Sequence, residues 1–307
     1  MQIGVTLPTP GQVLDLDTLL REFQRAEALG LHTAWMPNIT SFDALTILAL
    51  AGRQTRTLEL GTFVVPTYPR HPAAMAQQAL TTQAACGGRL VLGIGLSHRV
   101  TIETRLGLDY SHPIRHMTEY LRCLAGLLAG EVVSFQGQEF RLDGYQLNVP
   151  GATPPPILVA ALGPQMLRLT GRLAAGTAIW MGGPRYLAEH VIPTIGPAAR
   201  EAGRPAPRVL VSVPVCVTDR PEAVRQAANV AFARYGQLPS YRAILDKEGA
   251  PHPADVALIG PEDVVRQQLD ALAAAGATDF SAAVFAPPGE DAERTWAFLR
   301  AYATGAG

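Results

Sequence analysis

LELGTFVVPTYPRHPAAMAQQALTTQAACGGRLVLGIGLSHR, residues 58–99, decides the fold. Leu58–Val65 is an apolar run suited to a strand buried on both faces. Pro66, Pro69 and Pro72 then remove ladder donors and predict the end of that strand. Ala73–Ala85 is rich in strong helix formers, and Gly87-Gly88 closes the helix. Leu90–Leu96 reads as a second buried strand. Strand, helix and strand make a βαβ unit with parallel strands whose C-terminal ends share one side. That side receives Thr67, Tyr68, Arg70 and His71 from one loop and Ser97, His98 and Arg99 from the next.

The alternation continues in both directions. Strands are predicted at Gln2–Leu7, His32–Met36, Leu58–Val65, Leu90–Gly95, Ile157–Ala161, Thr177–Met181, Val209–Thr218 and Phe280–Phe285. Helical spacing falls at 16–29, 43–52, 73–85, 116–128, 164–174, 185–201, 221–235, 240–248, 261–275 and 292–302. Pro193 and Pro197 are expected to break or kink the helix that contains them. Val132–Leu147 reads as a hairpin turning at Gly137, inside a long excursion after the fourth strand. Eight strands separated by helices fit a (β/α)8 TIM barrel, an α/β fold, with an insertion after strand 4 and extra helices before strand 8. An open doubly wound sheet is the alternative. Gly93-Ile94-Gly95-Leu96-Ser97-His98 lacks the third glycine of the dinucleotide fingerprint, which argues against it. No repeat or linker interrupts the 307 residues, so a single barrel domain over 1–307 is expected.

Composition narrows the function. The formal net charge is −1, with no basic stripe, so nucleic acid is not an expected partner. Lys247 is the one lysine, so any anion must be met by arginine, backbone N–H groups or neutral polar side chains. Cys86, Cys123 and Cys216 are far apart, without CxxC spacing, and read as free thiols in a reducing compartment. No apolar run reaches the ~18 residues of a membrane span, and the N-terminus reads as a strand rather than a leader. A cytoplasmic enzyme with no membrane partner is therefore expected.

GTFVVPTYPRHP, GGRLVLGIGLSH and PILVAALGPQMLRL (156–169), followed by Ala178-Ile179-Trp180, resemble the luciferase-like flavin and deazaflavin enzymes. The likeness is greatest to the coenzyme F420 branch, near methylenetetrahydromethanopterin reductase and the F420-dependent sugar-phosphate dehydrogenases. The resemblance runs from Met1 to about Ile195. It implies a (β/α)8 barrel, a deazaflavin or flavin held at the strand ends, hydride transfer to or from a small organic substrate, and a homodimer.

The resemblance also implies roles. The end of the third strand carries a bulge with a cis peptide bond against the cofactor ring, which places Phe63 and Val64 there. The matching sugar-phosphate dehydrogenases have an acidic residue where His98 stands. Ser97 and His98 thus face the cofactor, and His98 is the candidate proton-transfer group. Many relatives carry an Asp-His pair after the second strand. Here Asn38 stands alone; it can hydrogen-bond ring or substrate but cannot act as an acid or base. Ala161, Leu162, Gly163, Pro164 and Gln165 match the segment that holds the cofactor phosphate at a helix start. Gln165 replaces a frequent lysine, and Arg168 one turn on is the compensating cation.

Ordinary structural readings stand beside these. Asn38 could serve a turn, Arg70 could cap its loop rather than meet an anionic tail, and His71 fits a helix start before Pro72. His112 and His116 are four apart, but Pro113 and the lack of a nearby carboxylate argue against a metal, and none is expected. Two rival functions remain open: an FMN-dependent luciferase-like monooxygenase using oxygen, and a non-catalytic flavin or deazaflavin carrier. The excursion at 96–150 and the segment 236–260 are expected to shape the substrate pocket.

Overall fold

A computed structural model describes residues 1–305. The barrel strands are β1 (Gln2–Thr6), β2 (Thr33–Met36), β3 (Glu59–Thr62), β4 (Val65–Pro66), β5 (Leu90–Gly95), β8 (Ile157–Val159), β9 (Gly176–Trp180), β10 (Arg208–Val217) and β12 (Asp279–Val284). β4 continues the path of β3, so the closed parallel ring runs β1-β2-β3-β5-β8-β9-β10-β12 and back to β1. β6 (Val133–Gln136) and β7 (Arg141–Tyr145) form the antiparallel hairpin of the insertion. β11 (Leu258–Gly260) was not expected. It pairs with β10 from Val215 onward, on the edge that β9 occupies only as far as Ser212.

The helices are α1 (Leu16–Ala28), α2 (Ala44–Gln54), α3 (Pro72–Ala85), α4 (Pro113–Leu128), α5 (Pro164–Leu173), α6 (Pro184–Tyr186), α7 (Ile192–Glu201), α8 (Pro221–Ala231), α9 (Ala233–Gln237), α10 (Pro239–Glu248), α11 (Glu262–Ala274) and α12 (Ala292–Thr304). Local chemistry places several helix starts. The carboxylate of Asp15 accepts from the Thr18 N–H at 2.8 Å, and that of Asp43 from the Thr46 N–H at 2.9 Å. His71 caps α3 through Nδ1, which accepts from the Ala73 N–H, as expected of a residue before Pro72. The expected helix at 185–201 is three pieces. α6 runs into a π-helical turn at Leu187–Val191, and α7 follows. Pro193 lacks a donor and its ring crowds the carbonyl four residues back, so the ladder slips there. Among the described residues no helix is long and apolar enough to cross a membrane.

The strands are buried on both faces, which is why they read as near-continuous apolar runs. Most of the core lies between strands and helices. A second cluster fills the ring itself: Trp35, Val91, Leu158, Ala178 and Leu210, with Phe63 and Val64 packed against it. The N-terminal end of the ring is closed by Arg208, which spans the interior to Glu59 at 2.7 Å and to Asp279. Conservative packing at this end and open chemistry at the other is the usual division in such barrels.

Candidate active site

The C-terminal end of the ring is built around an irregularity. β3 pairs with β5 as far as Gly61↔Val91, and β4 resumes at Val65↔Ile94. The offset changes from 30 to 29, so Thr62–Val65 holds one extra residue, a bulge. The expected strand at 58–65 is thus interrupted at Phe63 and Val64, and the peptide bond between them is cis. Pairing also passes Pro66, where termination was expected. The Thr67 N–H reaches the Gly95 carbonyl at 2.9 Å, so the donor missing from Pro66 is not needed.

The neighbouring strand leaves room for the bulge. A Cβ on Gly93 would overlap the Thr62 carbonyl oxygen, and one on Gly95 would stand 2.7 Å from Val64 Cγ2. The two glycines of the GIG motif therefore accommodate a kinked strand edge rather than a phosphate. Phe63 and Val64 are half-buried: they rest on the ring's inner core and present their other side at the mouth.

Two non-glycine residues at the mouth adopt left-handed backbone, Ser97 at φ 60° and Met181 at φ 61°. Each follows the end of a barrel strand, β5 and β9. Such conformations cost ~1–3 kcal/mol and gather at functional sites. His98 follows Ser97; its carbonyl accepts from Thr101 and Ile102 N–H at 2.8 and 3.0 Å, at the start of a π-helical turn, Val100–Arg105. The His98 ring is half-buried and lies 5.6 Å from the Tyr241 ring. Burial, and then the Arg234 charge, lowers its pKa below the usual histidine value, so the imidazole is neutral at pH 7.

Tyr241 belongs to an aromatic wall that sequence reasoning missed. Tyr241 meets Tyr235, Tyr235 meets Trp180, and Trp180 meets Phe232, at centroid distances of 5.1, 5.6 and 6.1 Å. These residues come from β9, the end of α8, α9 and α10. The segment 236–260 was expected to shape the pocket, and it supplies Tyr241. The buried Trp180 indole N–H has only the Tyr235 hydroxyl near it, in a contact too poorly aligned to count as a full hydrogen bond. After β4 the Tyr68 hydroxyl is also buried and unpaired, its ring stacked 3.9 Å from that of His116. Buried donors without partners invite a polar ligand.

The Asn38 side-chain oxygen accepts from the Ala44 N–H at 2.9 Å and so supports the first turn of α2. Arg70 is held by Asp43 and by Gln78 at 2.7 Å, in a closed polar triangle beside α2. Ala161 is buried, the Leu162 carbonyl accepts from Tyr186 Oη at 2.6 Å, and Gly163 is the N-cap of α5 with no side chain capping it. Pro164 occupies the first turn and Gln165 is exposed. The start of the helix after β9 is different: Glu248 accepts from the Tyr186 N–H at 2.7 Å. The first-turn donors of α5 are thus free to meet an anion, while those of α6 are already matched to a carboxylate. Arg168 lies on the outer face of α5, lining a groove against α4.

A kinked apolar ledge, a neutral histidine, unpaired donors and an uncapped helix start together suit a flat heterocycle with an anionic side chain. The family model described as luciferase-like monooxygenase matches residues 1–279. The chain belongs to that family. As a luciferase-like protein it is an oxidoreductase that works with a flavin or deazaflavin. The 5,10-methylenetetrahydromethanopterin reductase of Methanolobus tindarius is 28% identical over 272 residues, 83% of this chain and 81% of that protein. The F420-dependent hydroxymycolic acid dehydrogenase of Mycobacterium tuberculosis is 32% identical over 215 residues, 66% of this chain and 59% of the other. A type II Baeyer–Villiger monooxygenase of Pseudomonas putida, the oxygenating constituent of 3,6-diketocamphane monooxygenase solved with FMN, shares the fold. Its TM-score is 0.76 at 19% identity, over 98% of this chain and 96% of the other.

Proposed function

We propose that this luciferase-like protein transfers a hydride between coenzyme F420 and a small organic substrate. The observation that carries the reading is the bulged ledge at Phe63–Val64, next to β5, the strand that leads into a neutral His98, in a barrel whose sequence relatives include an F420-dependent dehydrogenase. Phe63 and Val64 offer the apolar surface on which the ring rests. The Trp180 N–H and the Tyr68 hydroxyl are donors to its polar edge or to substrate. The backbone from Ala161 to Gln165 takes the phosphate, with free N–H groups at a helix start in place of a lysine. When bound, a deazaflavin supplies two-electron hydride chemistry and disfavours oxygen activation, because carbon stands where a flavin has ring nitrogen 5.

This chain's residues do the rest. His98, neutral and beside Tyr241, accepts a proton from the substrate heteroatom as hydride leaves its carbon, or returns one in reverse. The aromatic wall of Trp180, Phe232, Tyr235 and Tyr241 excludes water and favours an apolar substrate body. Asn38 holds the loop after β2 in place.

An FMN-dependent monooxygenase is the second reading, supported by the fold shared with the FMN-bound Baeyer–Villiger enzyme. Parallel titrations of the protein with F420 and with FMN separate the two. Tighter binding of F420, with bleaching of its oxidised absorbance by an alcohol or reoxidation of its reduced form by an alkene or imine, is expected. Tight FMN binding without affinity for F420 overturns the proposal. F420 binding with no turnover over a broad substrate panel favours a carrier.

A further inference from the structure

A groove of about 490 Å³ runs down the outside of the barrel between α4 and α5. Its floor is apolar, with Ile114 from one helix and Leu169 from the other. Its rim is cationic: Arg122, Arg168 and Arg172 all line it. Among the described residues Arg122 and Arg168 form no ion pair. Arg172 has only Glu201, at 3.7 Å between two exposed side chains, an arrangement worth little in water. Three guanidinium groups in one concave strip stand out in a chain of net charge −1. At its upper end the groove includes Gln165, in the first turn of α5.

We infer that this groove holds the carboxylate-bearing tail of the deazaflavin coenzyme. The inference rests on the proposed function, which places the phosphate at that same first turn. A chain leaving the phosphate there meets Gln165, then Arg168, then Arg172 on successive turns of one helix face, with Arg122 opposite. From Gln165 to Arg172 is ~10 Å along the helix, the length of ~3 residues of an extended peptide-like chain. Carboxylates at that spacing pair with the arginines, and the methylenes between them lie on Ile114 and Leu169. FMN ends at its phosphate and leaves the groove unused, so the groove selects for the tailed coenzyme.

The test is binding, read by ligand fluorescence or calorimetry. Wild type and the double variant Arg122→Glu/Arg172→Glu are titrated with F420 carrying its full tail and with the tail-less deazaflavin phosphate. Each exposed pair contributes about two- to fivefold, so wild type is expected to prefer the tailed form about tenfold or more. The variant should lose that preference while binding the tail-less form as wild type does. The preference of wild type should also shrink as salt rises, a readout that needs no variant. Equal affinity of wild type for both forms, or a preference that survives both charge reversal and salt, overturns the inference and leaves the proposed function standing. Failure of wild type to bind either deazaflavin form, with FMN bound tightly, overturns both.

Discussion

The Thr62 hydroxyl bridges the break in the barrel: it accepts from the Gly93 N–H at 2.8 Å and donates to the Gly93 carbonyl at 2.6 Å. It thereby satisfies both backbone groups that the bulge takes out of the ladder. Thr62→Val keeps the shape and removes the hydroxyl, stranding a buried donor and acceptor. A loss of about 1–3 kcal/mol is expected, read from the midpoint of urea unfolding. Thr62→Ser should restore most of it. A valine variant as stable as wild type would show that the bulge does not depend on this side chain.

His98 should set the acidic limb of the pH–rate profile. Burial and Arg234 hold its folded pKa below the ordinary 6.5, so the neutral base form persists to lower pH than in a free histidine. Activity that depends on proton acceptance should therefore decline only below that value, and His98→Asn should remove the limb with a kcat loss of about 10²–10⁴-fold. Variant and wild-type profiles of the same shape would assign the proton transfer elsewhere.

His116 should make the fold acid-sensitive. It is 4% exposed, and desolvation pulls its pKa from 6.5 down to about 4, against the opposing charges of Glu139 and Glu119. Between these values the unfolded chain binds a proton that the folded chain does not. Stability is full above 6.5 and falls as pH drops toward 4, by up to about 3 kcal/mol at 1.36 kcal/mol per pKa unit. His116→Gln retains a partner for Thr67 Oγ1, 2.9 Å away, and should flatten the stability curve over this window. An unchanged slope would refute the assignment.

Arg208 crosses the lower barrel to Glu59 and Asp279, and Asp279 is 2% exposed. Arg208→Met leaves that carboxylate buried and unmatched, so a loss of about 3–5 kcal/mol is expected. Replacing all three charges with apolar residues should recover most of it. Both are measured by chemical denaturation. A single variant that costs less than the triple would contradict this picture.

Much of the architecture was legible in the chain because the strands are buried on both faces and read as apolar runs between helical patterns. All eight expected barrel strands are present, seven with bounds that differ by no more than two residues and the third split at Phe63–Val64. β11 escaped because Leu258-Ile259-Gly260 is too short to carry a period. The slip at Leu187–Val191 was readable only as trouble from Pro193, since the pattern of a π turn is not visible in spacing. Phe63, Val64, Ser97 and His98 could be placed at strand ends because a long ordered motif carries them, and the structure puts them at the ends of β3 and β5. The aromatic wall was not found: Trp180, Phe232, Tyr235 and Tyr241 come from separate elements and meet only once the barrel closes. Met181 carries no signal either, since nothing in Trp-Met-Gly announces a left-handed methionine. Asn38 looked equally suited to ligand or turn, and its bond to Ala44 places its oxygen in the turn.

The central claim is the seat of the ring. A crystal structure of the protein with bound F420 tests it most directly. The deazaflavin ring is expected against Phe63 and Val64, within reach of His98, and the phosphate at Gly163–Gln165. An empty mouth at saturating coenzyme, or a ring bound away from that ledge, would contradict it.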